Sequence, residues 1–271
     1  MQVIPQGQYF LRDHTLQPVT RFAAHAPTVS TCIYEVIRVL GTQALFINDH
    51  LERLNNSFRI AGFRYTQNKE SLLLDLKHLI ATNPIDEGNI KLEFHFIDNG
   101  ETRLMAYYVQ TNYPTEAQQK SGVKCSLQFT ERQDPNAKIY NPEVREKANT
   151  LIEQLEVYET LLVNHNSCLT EGSRSNLFFI KDNTLITAED SMVLPGVIRK
   201  QVLHSAKEEG IPIVFQSVSI EEIAQMDAAF ITGTSPRMLA IAQLGDVSFK
   251  VNHPLFITLS DLLQQKIEQQ L

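Results

Sequence analysis

The chain has 271 residues, of which 43% are hydrophobic, so it can bury the core of one large domain or of two modest ones. Its net charge of -7 argues against a nucleic-acid partner, because phosphate backbones attract clustered Lys and Arg. The sequence also shows no signal-peptide pattern and no apolar run of about 18 residues, the length that a membrane span needs. We therefore expect a cytoplasmic protein that makes no contact with a membrane.

Three cysteines are widely separated along the chain: Cys32, Cys125 and Cys168. None belongs to a CxxC pair, the spacing that is typical of redox and zinc motifs. The sequence thus predicts no disulfide framework, no metal site and a reducing compartment.

The first 111 residues predict a small α+β domain with the order strand, strand, helix, helix, strand, strand. Residues 33–47 are rich in β-branched side chains and predict a hairpin around Gly41-Thr42. The helix that follows is expected to begin at an N-cap, Asn48 or Asp49, and to end near Ile60. The other predicted elements are a helix at 69–81 and strands at 89–97 and 103–110, joined by an Asn-Gly turn at 98–101.

A polar stretch that contains Pro114 and Gly122 predicts an interdomain linker over residues 112–122. Residues 123–271 then alternate between strand and helix patterns and are predicted to form a second domain. Its predicted strands lie at 123–130, 177–180, 184–187, 212–216 and 228–232, with further segments between 240 and 251, and its predicted helices lie at 142–158, 197–209, 220–226 and 256–269.

The stretch from Thr170 to Phe178 is the most informative part of the sequence. Its Gly/Ser loop places an acid, Glu171, and an amide, Asn176, five positions apart and directly before an apolar strand. Such a short loop can hold polar side chains rigidly against the strand. Farther along, Gly196 leads into a helix, whose first N–H groups have no partner within the helix. Together these features predict a binding site for a polar ligand.

This order of residues resembles the signature of the class IV, or fold-type-IV, pyridoxal-phosphate (PLP) aminotransferases. The positions that match are Glu171, Ser173, Asn176, Leu177, Phe178, Leu185, Thr187, Leu194, Gly196, Val197 and Arg199. The resemblance implies a two-domain α+β fold with a small N-terminal α+β domain and a larger C-terminal β-rich domain with helices. It also implies an active site between the domains and a homodimer.

A PLP enzyme of this family needs a lysine that holds the cofactor as a Schiff base, and two lysines are candidates. Lys147 lies in the stretch that predicts a helix, where an ammonium group is usually solvated. Lys138 follows a strand and a loop, and it precedes Asn141 by three positions and Glu171 by 33, as the family's lysine does. We therefore expect Lys138 to be the catalytic lysine.

The resemblance also implies the residues that bind the cofactor. Glu171 would face the pyridine nitrogen and keep it protonated. Arg53, the backbone amides of Val197 and Ile198, and the loop with Thr234 and Ser235 would bind the phosphate. Ser175 and Asn176 would complete the set. Without the resemblance, Arg53 and Glu171 would be interpreted as solvated charges, and the loop at 233–235 as a plain turn.

Two further residues are candidates for substrate binding. Tyr34 and Lys91 lie on predicted strands that, by the same resemblance, border the substrate pocket. A structural role within the sheet is the alternative for both. Glu143 stands where the branched-chain enzymes carry a tyrosine, so the resemblance does not identify the substrate.

The sequence therefore predicts a PLP-dependent aminotransferase that moves an amino group between a small amino acid and a keto acid. Two alternatives stay open. Aminodeoxychorismate lyase shares the cofactor and forms 4-aminobenzoate and pyruvate. A non-catalytic binding protein could also keep the same fold.

Overall fold

The computed structural model describes residues 5–25, 31–63, 68–97 and 101–271. The chain divides into two compact units. The first unit comprises Met1–Asn112, Ala137–Tyr140 and Gln270–Leu271, and the second comprises Tyr113–Asn136 and Asn141–Gln269. Lys138, which was predicted to belong to the C-terminal domain, is therefore part of the first unit.

The first unit is built on a six-stranded antiparallel sheet. Its strands are β1 (Pro5–Arg12), β2 (Thr15–Pro18), β3 (Thr31–Leu40), β4 (Gln43–Ala44), β5 (Glu87–Phe96) and β6 (Thr102–Val109), in the order β2-β1-β6-β5-β3-β4. Strands β1 and β2 were not predicted, and residues 98–100 of the turn predicted at 98–101 lie outside the described residues. Two helices, α1 (Ile47–Ile60) and α2 (Lys69–Thr82), contribute to the same core as this sheet.

Alternation along the strands gives the sheet two different faces. Ile90, Leu92, Phe94 and Phe96 of β5 contribute to the apolar core together with α1 and α2. The intervening residues of β5 are polar and lie on the opposite face: Lys91, Glu93 and His95. Because directly paired residues share a face, Cys32 and Tyr34 of β3 lie beside His95 and Glu93. One side of the sheet therefore carries the core and the other carries a polar cluster.

Helix α1 begins earlier than the sequence predicted. Its N-cap is Phe46, in a left-handed conformation with φ of 51°, rather than Asn48 or Asp49. The carbonyl of Phe46 accepts hydrogen bonds from the N–H groups of Asp49 and His50 at 3.0 and 3.1 Å, which starts the helix there. Asp49 lies instead in the first turn, where its negative charge interacts favourably with the positive end of the helix dipole.

The second unit contains a ten-stranded mixed sheet. Its strands are β7 (Val123–Phe129), β8 (Glu159–Val163), β9 (Cys168–Gly172), β10 (Asn176–Lys181), β11 (Thr184–Thr187), β12 (Ile213–Phe215), β13 (Val218–Ser219), β14 (Ala228–Gly233), β15 (Arg237–Leu244) and β16 (Val247–Ser248). Pairing runs through β10-β14-β15-β7-β8-β9 and returns to β10, so these six strands form a closed ring around an apolar core.

Four α-helices accompany this sheet: α3 (Glu116–Ser121), α4 (Pro142–Gln154), α5 (Val197–Glu208) and α6 (Pro254–Glu268). Helix α3 lies within the predicted linker, where the Thr115 and Gln118 side chains form a reciprocal capping box. Residues 220–225, predicted as an α-helix, form a 3-10 helix. None of the helices in the described ranges combines the length and the hydropathy of a membrane span.

Candidate active site

In the first unit, the backbone of Lys138 is attached to both β3 and α1. Its carbonyl accepts a hydrogen bond from the N–H of Tyr34 at 3.1 Å, next to an antiparallel bridge between Ile33 and Ile139. Its N–H donates to the hydroxyl of Ser57 on α1 at 3.0 Å. The side-chain Nζ lies 4.6 Å from the centre of the Tyr34 ring. Lys138 thus occupies a defined position on the polar face of the sheet.

The other candidate lysine has a different environment. Lys147 lies on α4 of the second unit, and its Nζ donates to the carbonyl of Phe129 and to the hydroxyl of Thr130, both at 3.1 Å. These contacts stabilise the exposed end of β7. The role of Lys138 as the cofactor lysine stays a prediction, but the surroundings of the two lysines agree with the choice between them.

Arg53 belongs to a buried charge cluster that links α1 to β3. Its Nε and Nη2 donate to the two carboxylate oxygens of Glu35 at 2.8 and 2.6 Å, and His50 Nδ1 contacts the same carboxylate at 2.8 Å. Arg53 is only 7% exposed, so its interpretation as a solvated charge is wrong. Because Glu35 orients the guanidinium from one side, Arg53 is held rigidly as a donor.

Burial and contacts with neighbouring groups together set the pKa values of Glu35 and His50 in this cluster. Burial alone would raise the pKa of Glu35, but the charge and hydrogen bonds of Arg53 and the contact with His50 lower this pKa from 4.5 to about 2. Burial lowers the pKa of His50, against the raising effect of Glu35. Glu35 is therefore ionised and His50 is neutral at pH 7, so the imidazole donates its Nδ1–H to the carboxylate.

Tyr34 and Lys91 lie close to Lys138 on the polar face of the sheet. Lys91 Nζ is 5.3 Å from the centre of the Tyr34 ring and 5.5 Å from that of Tyr140. Lys91 also forms an ion pair with Glu93. The structure brings both predicted substrate residues together with the predicted catalytic lysine. Glu93 was missed, although charged residues that alternate along an apolar strand are a signal that could have indicated it.

In the second unit, Glu171 occupies the point where the ring of strands closes. It is the partner of Asn176 in the single residue pair between β9 and β10, so it belongs to a strand and not to the predicted loop. Asn176 Nδ2 donates to Glu171 Oε2 at 3.2 Å, and the N–H of Leu194 donates to the same oxygen at 3.1 Å. Glu171 is 2% exposed, so its interpretation as a solvated acid is wrong.

The turn that follows Glu171 is organised by a second buried acid, Glu159 on β8. Its carboxylate accepts hydrogen bonds from the hydroxyls of Ser173 and Ser175 at 2.7 and 3.1 Å, and from the N–H of Arg174 at 3.2 Å. Ser175 is therefore a structural neighbour of Glu159 in this structure. Glu159 was not predicted, because a single acid at the start of a strand carries no local signal.

Asn176 also brings the start of α5 close to Glu171. Its Nδ2 donates to the carbonyl of Leu194 at 2.8 Å, and a Cβ added to Gly196 would lie 1.8 Å from its Oδ1. Only glycine therefore fits at position 196, which is the N-cap of α5. No side chain among the described residues caps this helix, which begins with Val197 and Ile198. Thr234 and Ser235 lie in the half-buried turn between β14 and β15.

A cavity of about 230 Å³ opens beside Glu171 in the second unit. Its walls include Arg132, Leu162, Thr170, Glu171 and Met192. Arg132 Nε lies 3.2 Å from Glu171 Oε1, so the carboxylate faces a cation at the edge of this cavity. Arg132 was not predicted.

Several known proteins are similar to this chain. The D-alanine aminotransferase of Bacillus licheniformis is 23% identical over 232 residues, which is 78% of each chain. The branched-chain amino acid aminotransferase from Thermobaculum terrenum, in its PLP form, superposes with a TM-score of 0.83 at 18% identity, over 99% of this chain and 96% of that one. A putative 4-amino-4-deoxychorismate lyase from Legionella pneumophila gives a TM-score of 0.80 at 22% identity, over 89% and 96%.

The structural matches show a shared fold, and they confirm the predicted fold type IV. The family model for amino-transferase class IV matches residues 32–244, which include every residue predicted for the site. The predicted aminotransferase class of enzyme is thereby confirmed. The chain belongs to the class IV aminotransferase family.

Proposed function

We propose that this enzyme binds PLP through a covalent link to Lys138 and transfers an amino group between a small amino acid and a keto acid. The observation that carries the proposal is the buried carboxylate of Glu171, held by Asn176 and by the amide of Leu194 beside a cavity. A carboxylate in this setting suits the protonated ring nitrogen of a pyridine cofactor. In this structure the Glu171 carboxylate pairs with the guanidinium of Arg132.

The residues of the second unit fit a phosphorylated cofactor. Helix α5 starts without a side-chain cap among the described residues, and Gly196 at its N-cap lets the Asn176 side chain pack against the start of the helix. A helix N-terminus binds anions through its N–H groups and its dipole. We therefore propose that Val197 and Ile198 bind the phosphate, with Thr234 and Ser235. Arg53 would join them as a guanidinium oriented by Glu35.

The proposed chemistry divides among the residues of this chain. When bound, PLP supplies an electron sink for the negative charge that develops at the substrate Cα. Lys138, as a neutral amine, would take the proton from the substrate Cα and would deliver it to the C4′ carbon of the cofactor, which is the proton shift that transamination requires. Glu171 would keep the ring nitrogen protonated by accepting its hydrogen bond. Asn176 keeps the Glu171 carboxylate in the orientation that this contact needs.

The assignment of Lys138 is tested by trapping with borohydride. We expect PLP to give one labelled peptide, which contains Lys138, and the Lys138→Ala variant to lose both the label and transamination. Lys147→Ala is the matched control and should keep both, because its ammonium only binds the end of β7. A label on Lys147, or full labelling of Lys138→Ala, would contradict the proposal.

The reaction is tested with a panel of donors and acceptors. The D-alanine aminotransferase relatives make D-alanine and L-alanine the first donors to compare. Keto acids with one and with two carboxylates are the acceptors. Release of pyruvate from aminodeoxychorismate without any keto acid, together with no transamination, would instead assign the lyase activity.

We also propose that the chain acts as a homodimer, as the class suggests. Light scattering of the eluted protein should give twice the mass of one chain. A monomer with full activity would rule this out.

A further inference from the structure

A network of ionisable groups covers the polar face of the first unit's sheet. Glu93 is its centre: the carboxylate pairs with Lys91, accepts a hydrogen bond from the Tyr107 hydroxyl at 2.9 Å, and contacts His95 Nε2 at 3.2 Å. Cys32, on the neighbouring strand, contributes its thiol within 4.8 Å of the polar atoms of Glu93 and His95. The proposed mechanism uses neither Glu93 nor His95.

This network lies next to the proposed catalytic lysine. The ring of Tyr34 has Lys138 Nζ at 4.6 Å from its centre and Lys91 Nζ at 5.3 Å. Tyr140 packs edge-on against Tyr34, with a centroid distance of 6.3 Å, and its ring also lies near Lys91. The Tyr34 ring therefore lies beside both ammonium groups on one face of the sheet. We take the side chain of a molecule that reacts at Lys138 to extend past this ring, where the charges of Lys91 and Glu93 act on it.

Lys91 and Glu93 cancel each other's charge. Burial raises the pKa of Glu93, but the hydrogen bond from His95 and the charge of Lys91 bring this pKa down to about 2. Burial lowers the pKa of Lys91, and Glu93 more than reverses this, so that the pKa of Lys91 is raised. Both groups are thus charged at neutral pH, and the pair is neutral as a whole. A lone buried lysine would attract an additional carboxylate, whereas a paired lysine does so much less.

We infer that Glu93 sets the substrate class of this enzyme: its carboxylate compensates Lys91, so that the site favours substrates whose side chain carries no second carboxylate. This inference rests on the proposed function, because it takes Lys138 as the reacting lysine. It places dicarboxylic keto acids and amino acids below small monocarboxylic ones as substrates.

Binding of two unreactive acids tests the inference without catalysis. Valerate and glutarate have the same five-carbon chain, and glutarate has the additional distal carboxylate. Isothermal titration of the PLP-loaded protein at pH 7.5 should show that glutarate binds no more tightly than valerate. In Glu93→Gln, which leaves Lys91 uncompensated, glutarate should gain about tenfold over valerate, as expected for one charge removed at short range.

Two further variants make the test independent of one substitution. Lys91→Gln leaves Glu93 without its cation and should move the affinity ratio in the opposite direction. Glu87→Gln is the matched control, because Glu87 lies on the same strand and pairs with Arg38 but is more exposed; its ratio should equal that of the wild type. If Glu93→Gln does not fold, the shift in Lys91→Gln decides.

The inference is overturned if the wild type prefers glutarate, or if the ratio is the same in the wild type, Glu93→Gln and Lys91→Gln. An equal gain for both acids in Glu93→Gln would also overturn it, because the charge would then act on the carboxylate that all substrates share. Failure of the proposed function gives a different result: no borohydride label on Lys138, whatever the affinity ratio.

Discussion

Ser57 shows how one side chain connects two predicted site residues of the first unit, Lys138 and Arg53. Its hydroxyl donates to the carbonyl of Arg53 at 2.9 Å and accepts the N–H of Lys138 at 3.0 Å, and it is fully buried. The residue therefore fixes the backbone of Lys138 relative to the helix that carries Arg53. We interpret Ser57 as a positioning residue, because it acts through Lys138.

We predict that Ser57→Ala weakens the binding of PLP about tenfold, because the Lys138 N–H loses its acceptor inside the protein, a loss that costs about 1–3 kcal/mol. Absorbance titration with PLP measures the affinity, and the rate of borohydride trapping reports the position of the amine. Ser205→Ala is the matched control: it removes a buried serine hydroxyl from α5, far along that helix from Gly196. Equal PLP binding in both variants would show that Ser57 has no positioning role.

Some residues of the family signature belong to the proposed site, and others hold the surrounding elements together. Thr187 donates its hydroxyl to the carbonyl of Leu177 at 2.8 Å, which fastens β11 to β10. Arg199 binds Asp190 at 2.6 Å and the carbonyl of Ala188 at 2.9 Å, which ties α5 to the segment after β11. Arg199 therefore supports the orientation of α5, while Glu171 lines the cavity and Asn176 donates to its carboxylate.

At the scale of elements, the ion pair of Glu35 and Arg53 is a polar link between β3 and α1. It is bidentate and buried, so removing one partner leaves an uncompensated charge in the interior. The side chains of Leu51, Leu54 and Phe58 provide the apolar part of the same interface.

We predict that Glu35→Gln lowers the free energy of unfolding by about 3–5 kcal/mol at pH 7, as for other buried pairs that lose one partner. The pKa of Glu35 is lowered from 4.5 to about 2, so its contribution is complete above pH 4.5 and is lost as the pH falls towards 2. Urea unfolding at several pH values measures this. The difference between wild type and variant should shrink below pH 4.5, and a difference that grows there would contradict the assignment.

At the scale of the whole molecule, the predicted site residues are distributed over both units. The first unit carries Lys138, Arg53, Tyr34 and Lys91, and the second carries Glu171, Asn176 and the start of α5. Residues 137–140 come from the middle of the chain but belong to the first unit. Their backbone forms hydrogen bonds with Cys32 and Tyr34.

We predict that PLP raises the temperature of thermal unfolding. At a PLP concentration of 100 Kd the stabilisation is ~2.7 kcal/mol, which corresponds to about 5–10 °C for a chain of this size. Lys138→Ala should show a smaller rise, because the covalent link is lost. Differential scanning calorimetry with and without PLP measures both, and an unchanged midpoint for the wild type would contradict cofactor binding.

Much of the element order could be predicted because it depends on local patterns. The strand at Thr184–Thr187 has the predicted bounds, and α2 and α5 differ from the prediction by one residue at one end. Periodicity and turn residues are properties of neighbouring positions, so they are visible in the sequence. The sequence analysis predicted no strand at β1 or at β8.

By itself the sequence determined the family, the fold type and the residues that match the signature, because these depend on residue types at set spacings. Tertiary structure alone decided which charges pair, Glu35 with Arg53 and Glu93 with Lys91, and which hydroxyl accepts the backbone N–H of Lys138. The physical reason is that a charge in the interior must find a partner, and the partner is chosen by strand register and helix packing rather than by proximity along the chain.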